Sequence, residues 1–426
     1  MKRIVLVVSI MAIFGFANAQ FQGGLTNEVP NLRVSAMGGV YSLIETSNYA
    51  DFPQRILLGG EGAWLGRANT GVWGLARFQL NNFLELPMPM AWQVSVEQSS
   101  MVTINDLFDH VGLGWFASFD PLGEFVPAYE ATNRINSNFA IGLQNDLIAG
   151  LGLKMYSNSN SFSNDTEDMS HSFFGLETTW GLTMILEDNT FLDASIDFDY
   201  WKWDADYTAS TVDQYMYNYT QCDGVFKFGL NGRYYKSGDK VDYSPYMKFS
   251  YFSFSSSEKD NLGGDPPTIG NYTYDGSVFD FQLGSGIHYK PSDGVKVYNE
   301  FEFRYQSVSQ EVNQGTKEES SGSVMTLLPI YRMGVELTKD VDPKIWWGFN
   351  SVQLWGGFNK TFTGFSRESG NEERSEPTFT DVSVTTGAAL QNGNFKFEFY
   401  TTVGALRFDD YALNNVAIGL VYMFEQ

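Results

Sequence analysis

Cysteine and histidine are almost missing from this chain: its 426 residues include one cysteine, Cys222, and three histidines, His110, His171 and His288. One thiol cannot build an internal disulfide framework, so packing and strand pairing must hold the fold together. No histidine has a second one at ligand spacing, and with a lone cysteine this gives no metal cluster. Basic residues are scarce as well, with 27 Lys and Arg against 50 Asp and Glu and a formal net charge of −23. A surface of that sign cannot neutralise phosphates, which excludes nucleic acid as a partner. Beyond the first twenty positions there is no apolar run of the roughly 18 residues that a membrane-spanning helix requires, so a bundle of such helices is excluded. Aromatics, at 16%, and glycine, at 42 residues, are plentiful. One route into a membrane remains for such a chain, a sheet closed into a barrel that satisfies every backbone group internally.

The first nineteen residues read as a secretory signal. Lys2 and Arg3 form a positive start, Ile4 to Phe16 an apolar stretch, and Ala17-Asn18-Ala19 a small-x-small cleavage site. The mature chain is expected to begin near Gln20. The apolar stretch falls short of the ~20 residues of a retained spanning helix. No cysteine follows the site to carry a lipid anchor.

From about residue 134 one rhythm takes over, in which alternating segments are joined by a short turn, then a long polar stretch, then a short turn. The short turns are Asn145-Asp146, Glu187-Asp188-Asn189, Ser237-Gly238-Asp239, Pro291 to Gly294, Asp340 to Pro343 and Gln391 to Asn394. Asn, Asp and Gly tolerate the positive φ that tight hairpins need. The long stretches, at about 157–170, 204–221, 257–272, 311–321 and 360–377, are rich in Ser, Asn, Asp, Glu and Gly and are read as loops. Two loop lengths on opposite sides are characteristic of outer-membrane barrels. Six turns imply twelve strands, the final segment adds one, and at least one must precede residue 134. The expectation is an all-β, closed antiparallel transmembrane barrel of about 14 strands, with 16 the next count that closes.

Alternation within the segments sets the orientation. Val295, Val297, Phe301, Phe303 and Tyr305 share one face, with Lys296, Tyr298, Glu300, Glu302 and Arg304 on the other. Phe279, Phe281, Leu283 and Ile287 oppose Asp280, Gln282 and His288. Phe226, Phe228 and Leu230 oppose Lys227, Asn231 and Arg233, and Phe395, Phe397 and Phe399 oppose Lys396 and Glu398. A period of two assigns each set to its own side of a pleated strand. The arrangement that fits is apolar toward lipid and polar toward a lumen. The candidate lumen residues are therefore Lys227, Arg233, Lys248, Asp280, Lys296, Glu300, Glu302, Arg304, Lys396 and Glu398. Asp193, Asp197 and Asp199 extend the acidic set. Two readings of this mixed-sign interior stand open, a cross-braced wall with little pore and a path for a small ligand past an acidic vestibule. Trp201, Trp203, Trp346 and Trp347, near strand ends, are expected in interface girdles.

At the C-terminus Val416, Ile418, Leu420, Tyr422 and Phe424 alternate. Gly419, Tyr422 and Phe424 resemble the terminal signal read by the barrel-insertion machinery. Ala417 departs from that pattern, and Glu425-Gln426 extend past its usual end. Chemistry is largely declined: His288 lies four residues before Ser292, but Ser292 sits in a polar turn that needs no catalytic reason. The Asn- and Asp-rich stretch from Asn158 to Asp168 lacks an EF-hand pattern. No cofactor, metal or catalytic site is expected.

The region before residue 134 lacks the rhythm. Asn31-Leu32-Arg33-Val34-Ser35-Ala36-Met37-Gly38-Gly39-Val40, with Asp51-Phe52-Pro53-Gln54 following, resembles the opening of the FadL-like and PorV-like outer-membrane barrels. Those begin with an Arg, a Met-Gly-Gly-Ala-like stretch and, some fifteen residues later, an Asn-Pro-Ala motif, of which only Pro53 survives here. The resemblance spans roughly residues 30–55. It implies a short N-terminal segment tucked into the barrel as a plug, with Arg33, Met37, Gly38, Gly39 and Pro53 as candidate plug residues; a periplasmic lead-in packed on the barrel end is the alternative. The division expected is 1–19 signal, 20–70 plug or lead-in, and 71–426 barrel. A FadL-like barrel implies passive inward transport of a hydrophobic or weakly polar small molecule, with outer-membrane lipid and the insertion machinery as partners. A PorV-like one implies a non-conducting scaffold for protein secretion or surface attachment.

Overall fold

The computed structural model describes residues 33, 37 and 42, then 51–68, 71–100, 131–144, 146–163, 167–187, 189–210, 215–261, 269–314, 318–343, 348–362, 365–369, 374–377, 382–403 and 413–424. The signal segment, Gly38, Gly39, Trp346 and Trp347 lie outside these described residues.

Consecutive strands pair antiparallel around a closed ring. They are β1 (Gly62–Ala68), β2 (Gly71–Gln79), β3 (Met90–Ser100), β4 (Ala131–Gln144), β5 (Leu147–Ser163), β6 (Glu167–Glu187), β7 (Thr190–Ser210) and β8 (Tyr215–Ser237). Next come β9 (Val241–Asn261), β10 (Ile269–Ser292), β11 (Val295–Gln314) and β12 (Glu318–Asp340). β13 is an interrupted strand, Ser351–Thr361 then Phe365–Ser369, and β14 is another, Arg374–Pro377 then Val382–Asn392. β15 (Phe395–Val403) and β16 (Leu413–Met423) complete the ring. β1 pairs with β2 on one side and β16 on the other, with Gly62 opposite both Arg77 and Met423, and this closes the sheet. No helix among the described residues is long and apolar enough to cross a membrane.

The count is sixteen rather than fourteen. β1, β2 and β3 all precede residue 134, in the region where alternation was least legible, and β1 already belongs to the barrel at Gly62. The break in β13 faces Pro329 of β12. A proline has no N–H to donate to the neighbouring strand. The chain steps around it through a single bond, Phe362 N to Pro329 O at 2.9 Å, before pairing resumes at Leu327 and Phe365.

The polar stretches read as loops are largely strand. β7 runs to Ser210, β8 starts at Tyr215, and β10 extends over 24 residues. A tilted strand needs about 9–11 residues to cross the hydrocarbon core. The far halves of these hairpins therefore stand clear of it, polar on both faces yet still paired. At the opposite end Asn189, Gly294 and Gly393 adopt positive φ in their short turns, at 62°, 76° and 54°, whereas the turn expected at Asp340 to Pro343 opens a longer connection that ends at Ser351.

The orientation also follows the alternation. Phe226 is 61% exposed and Phe303 46%, whereas Arg233 and Glu302 on the opposite faces are 2% and 3% exposed. Exposed Phe, Leu and Ile ring the outside and ionised groups fill the inside. In water this would leave the barrel with an apolar shell and a buried charged centre; in a bilayer each face meets the medium that stabilises it.

Candidate functional site

The described residues that precede β1, namely Arg33, Met37, Ser42 and those from Asp51 on, contact the inner wall near the short-turn end. Arg33 pairs with Glu336 on β12, and its guanidinium donates to the Tyr298 hydroxyl at 3.1 Å. That hydroxyl donates in turn to Glu336 at 3.0 Å. Met37 is fully buried among Tyr298, Trp355 and Ala389. The Ser42 amide donates to Glu300 at 2.7 Å, and its Oγ sits 2.9 Å from His288 Nε2. Asp51 forms an ion pair with Lys248 at 2.7 Å. Arg33 thus meets β12, Ser42 meets β10 and β11, and Asp51 meets β9.

A 3-10 helix at Pro53–Leu58 then crosses β3, β4, β5 and β6. Proline at its first position suits the start of a helix, because the missing N–H would be unsatisfied there anyway. Arg55 makes a buried ion pair in the lumen, with Nε to Asp193 Oδ1 at 2.7 Å and a terminal nitrogen to Oδ2 at 2.8 Å. Asp193 also accepts from Arg233 at 3.0 Å and from the Thr183 hydroxyl at 2.6 Å. Phe52 stacks under Arg233 at 4.6 Å, and Arg55 lies over Phe191 at 4.3 Å. Two guanidiniums share one carboxylate and each rests on a ring face, which compensates part of the cost of burying the charges. Past the helix, the Gln79 amide donates to the Gly59 carbonyl at 2.9 Å and reaches the Ile56 and Leu57 carbonyls, so the segment's exit is fastened to β2.

The wall is notched to receive this segment. A Cβ at Gly150 or Gly181 would collide with Gln54, one at Gly286 with Ser42, and one at Gly334 with Met37. Glycine is required at these points for close approach of two chains, not for backbone conformation. The notches lie on four strands, and no periodicity marks them out from other glycines.

Around and beyond these contacts the wall is cross-braced. Arg332 reaches Glu300 at 2.6 Å and Glu302 at 2.7 Å, and the Tyr246 hydroxyl lies 2.6 Å from Glu302. Arg304 holds Asp280 with two bonds of 3.0 and 3.1 Å. Lys227 pairs with Asp199 at 2.8 Å, and Lys396 with Glu398 at 2.8 Å. Lys296 is half-buried on the same face, opposite Glu336 in the register. Beyond the charged layer the wall of β7 to β10 turns apolar, with Trp201, Val225, Phe252, Phe254 and Val278 all buried. Trp201 stacks on Phe252 at 6.3 Å. This corrects the girdle expectation for Trp201, which shares the odd parity of Asp193, Asp197 and Asp199 and therefore faces inward.

Every candidate lumen residue thus lies on the inward face, and of the candidate plug residues Arg33, Met37 and Pro53 contact the wall. Gly419 faces inward opposite Glu398, and Tyr422 and Phe424 pack on each other at the rim with centroids 5.7 Å apart. His288 is partnered by Ser42 rather than Ser292. Sequence reasoning missed Ser42, Phe52 and Arg55, for which no local pattern gives a signal. It also passed over Arg332 and Glu336, which the alternation of β12 would have placed inside. No group of three or more metal-ligating side chains occurs among the described residues.

Fold and lumen together define a transmembrane β-barrel of the outer-membrane type, with Arg33, Met37, Ser42 and residues 51–58 packed against its inner wall. No protein-family model matches the chain, and no curated protein does. Solved structures similar to it include the Ralstonia pickettii toluene transporter TbuX, at 13% identity and a TM-score of 0.43, covering 93% of this chain and all of that one. The CymD monoaromatic hydrocarbon channel is similar at 11% identity and a TM-score of 0.45, covering 93% of this chain and all of that one. The P. putida toluene transporter TodX is similar at 10% identity and 0.46, covering 94% of this chain and all of that one.

Proposed function

We propose that this protein carries a hydrophobic or weakly polar small molecule passively across the outer membrane, with the segment before Gly62 acting as a plug. The observation that carries this reading is the inner wall itself. A wall that only bears load has no reason to turn buried aromatic side chains inward, yet Trp201, Phe252 and Phe254 form an apolar patch on the lumen side of β7 to β9. Apolar surface of this kind, with a few polar groups beside it, is what a site for a hydrophobic ligand offers. Below the patch the plug is held by discrete contacts that can be exchanged for water one at a time. The name of TodX, a toluene transporter, fits the same class of cargo. The cleavable signal at 1–19 and an insertion role for Gly419, Tyr422 and Phe424 belong to the same proposal.

A second reading, a non-conducting scaffold for secretion or surface attachment, is favoured by the paired charges Arg332–Glu302, Arg304–Asp280 and Lys227–Asp199 that brace the interior. Reconstituting the purified barrel in liposomes separates the two. Uptake of hydrophobic probes above that of empty vesicles supports transport. No uptake together with a stoichiometric co-purifying partner supports the scaffold.

A further inference from the structure

The β2–β3 connection, residues 80–89, differs from five of the six turns at the same end of the barrel. Those five carry Asn, Asp, Gly and Lys, as turns in water do, whereas this one reads Leu-Asn-Asn-Phe-Leu-Glu-Leu-Pro-Met-Pro; the sixth connection, residues 341–350, also carries apolar residues, among them Ile345, Trp346 and Trp347. It is ordered from within: the Leu84 amide donates to the Leu80 carbonyl at 2.9 Å, and Asn81 donates to the Met88 carbonyl at 3.1 Å while accepting from the Met90 amide at 2.7 Å. Asn82 fixes it to the barrel rim through Glu61 at 2.9 Å. Its two Asn side chains are used to shape the loop and Glu85 is its one exposed charge; the remaining exposed side chains are apolar, with Leu84 54% exposed and Met88 37%.

Phe83 joins this loop to the outer face of the barrel. Its ring packs edge-on against Phe78, 6.1 Å between centroids, and Phe78 continues to Trp92 at 6.0 Å. Trp92 stacks on Phe139 at 5.9 Å, and Phe139 belongs to the exposed apolar belt. The loop is thus an extension of the lipid-facing surface past the last hydrogen-bonded pair of β2 and β3.

We propose that residues 80–89 form a foot seated in the headgroup and acyl boundary of the leaflet at the short-turn end, with phospholipid as its partner. The inference rests on the outer face being lipid-facing and does not depend on what the lumen carries. Aromatic and aliphatic side chains gain most at that depth, where rings and chain ends are shielded and backbone groups can still find water. The foot is also the element nearest the plug's exit, since Gln79 at its start holds Gly59 and Glu61 holds Asn82. A lipid-seated loop would therefore fix the point about which the plug is tethered.

The test is nitroxide accessibility in phospholipid vesicles. Spin labels are placed at Leu84→Cys and Met88→Cys in a Cys222→Ser background, on barrels that keep compact migration in unheated detergent gels. Phe301→Cys serves as the lipid-face control and Asp239→Cys as the polar-turn control. The expected result is that oxygen relaxes the labels at 84 and 88 several-fold more than a water-soluble nickel chelate does, as at 301, with the reverse at 239. Nickel-dominated relaxation at 84 and 88 would put the loop in water and overturn the proposal. Low accessibility to both agents would mean a protein cover, a second copy or another chain, and would overturn it equally. A nickel-dominated signal at 301 would instead refute the barrel orientation itself.

Discussion

The contact between Arg55 and Asp193 ties the plug to the wall, and Asp193→Asn is the substitution that tests it most severely. In the native lumen one carboxylate serves two guanidiniums, with side-chain exposures of 2% for Arg55 and 0% for Arg233. The amide keeps the shape and removes the charge that the two buried cations share. Removing one partner from a buried pair costs about 3–5 kcal/mol. The protein has one cheap escape, because Arg55 sits on a segment held to the wall by individual contacts rather than by strand pairing and can carry its charge into water. Strand pairing around the closed sheet is untouched by the change. The energy is therefore expected to appear as release of the plug rather than unfolding of the barrel, shifting that equilibrium by roughly two to three and a half powers of ten. Limited trypsin digestion reads it, since Arg33 and Arg55 are themselves cleavage sites and the rate follows the open population when opening is fast. Cleavage at both sites should rise at least a hundredfold, while the unheated gel shift of the barrel persists. Arg55→Gln should release less, because it leaves Asp193 paired with Arg233. If Asp193→Asn is cut no faster than the parent and unfolds at the same urea concentration, the clasp contributes nothing and the reasoning fails.

Gly181→Leu should displace the same segment by filling the notch under Gln54, at an overpacking cost of about 1–3 kcal/mol, and the trypsin assay should again report it. Phe301→Arg places a cation on the lipid face and should destabilise insertion by about 2–4 kcal/mol if that position lies near the midplane, measured by urea titration of folding into vesicles. Gly294→Ala forces a side chain onto a residue at φ 76° whose Cβ would meet the Thr338 carbonyl, and a loss of about 1–2 kcal/mol is expected in the same titration. Gly393→Ala, at φ 54° but with open space around it, should cost less.

The sequence by itself determined which side of each strand meets lipid. Residues two apart must share a face, and a charge on the wrong side is expensive, so Phe301 and Glu302 declare their environments before any fold is known. Turn chemistry was equally local, and Asn189, Gly294 and Gly393 adopt the positive φ their types allow. The strand count escaped because β1 and β2 are short and rich in glycine, and because polar hairpins beyond the membrane look like loops when nothing apolar marks their pleat. Tertiary structure alone decided the lumen's contents. Arg55 meets Asp193 across 138 positions and Ser42 meets His288 across 246, and no local rule selects partners at that separation. Those pairings exist because the closed ring brings the strands around a common axis and because glycines at Gly150, Gly181, Gly286 and Gly334 leave room for a second chain to lie against the wall.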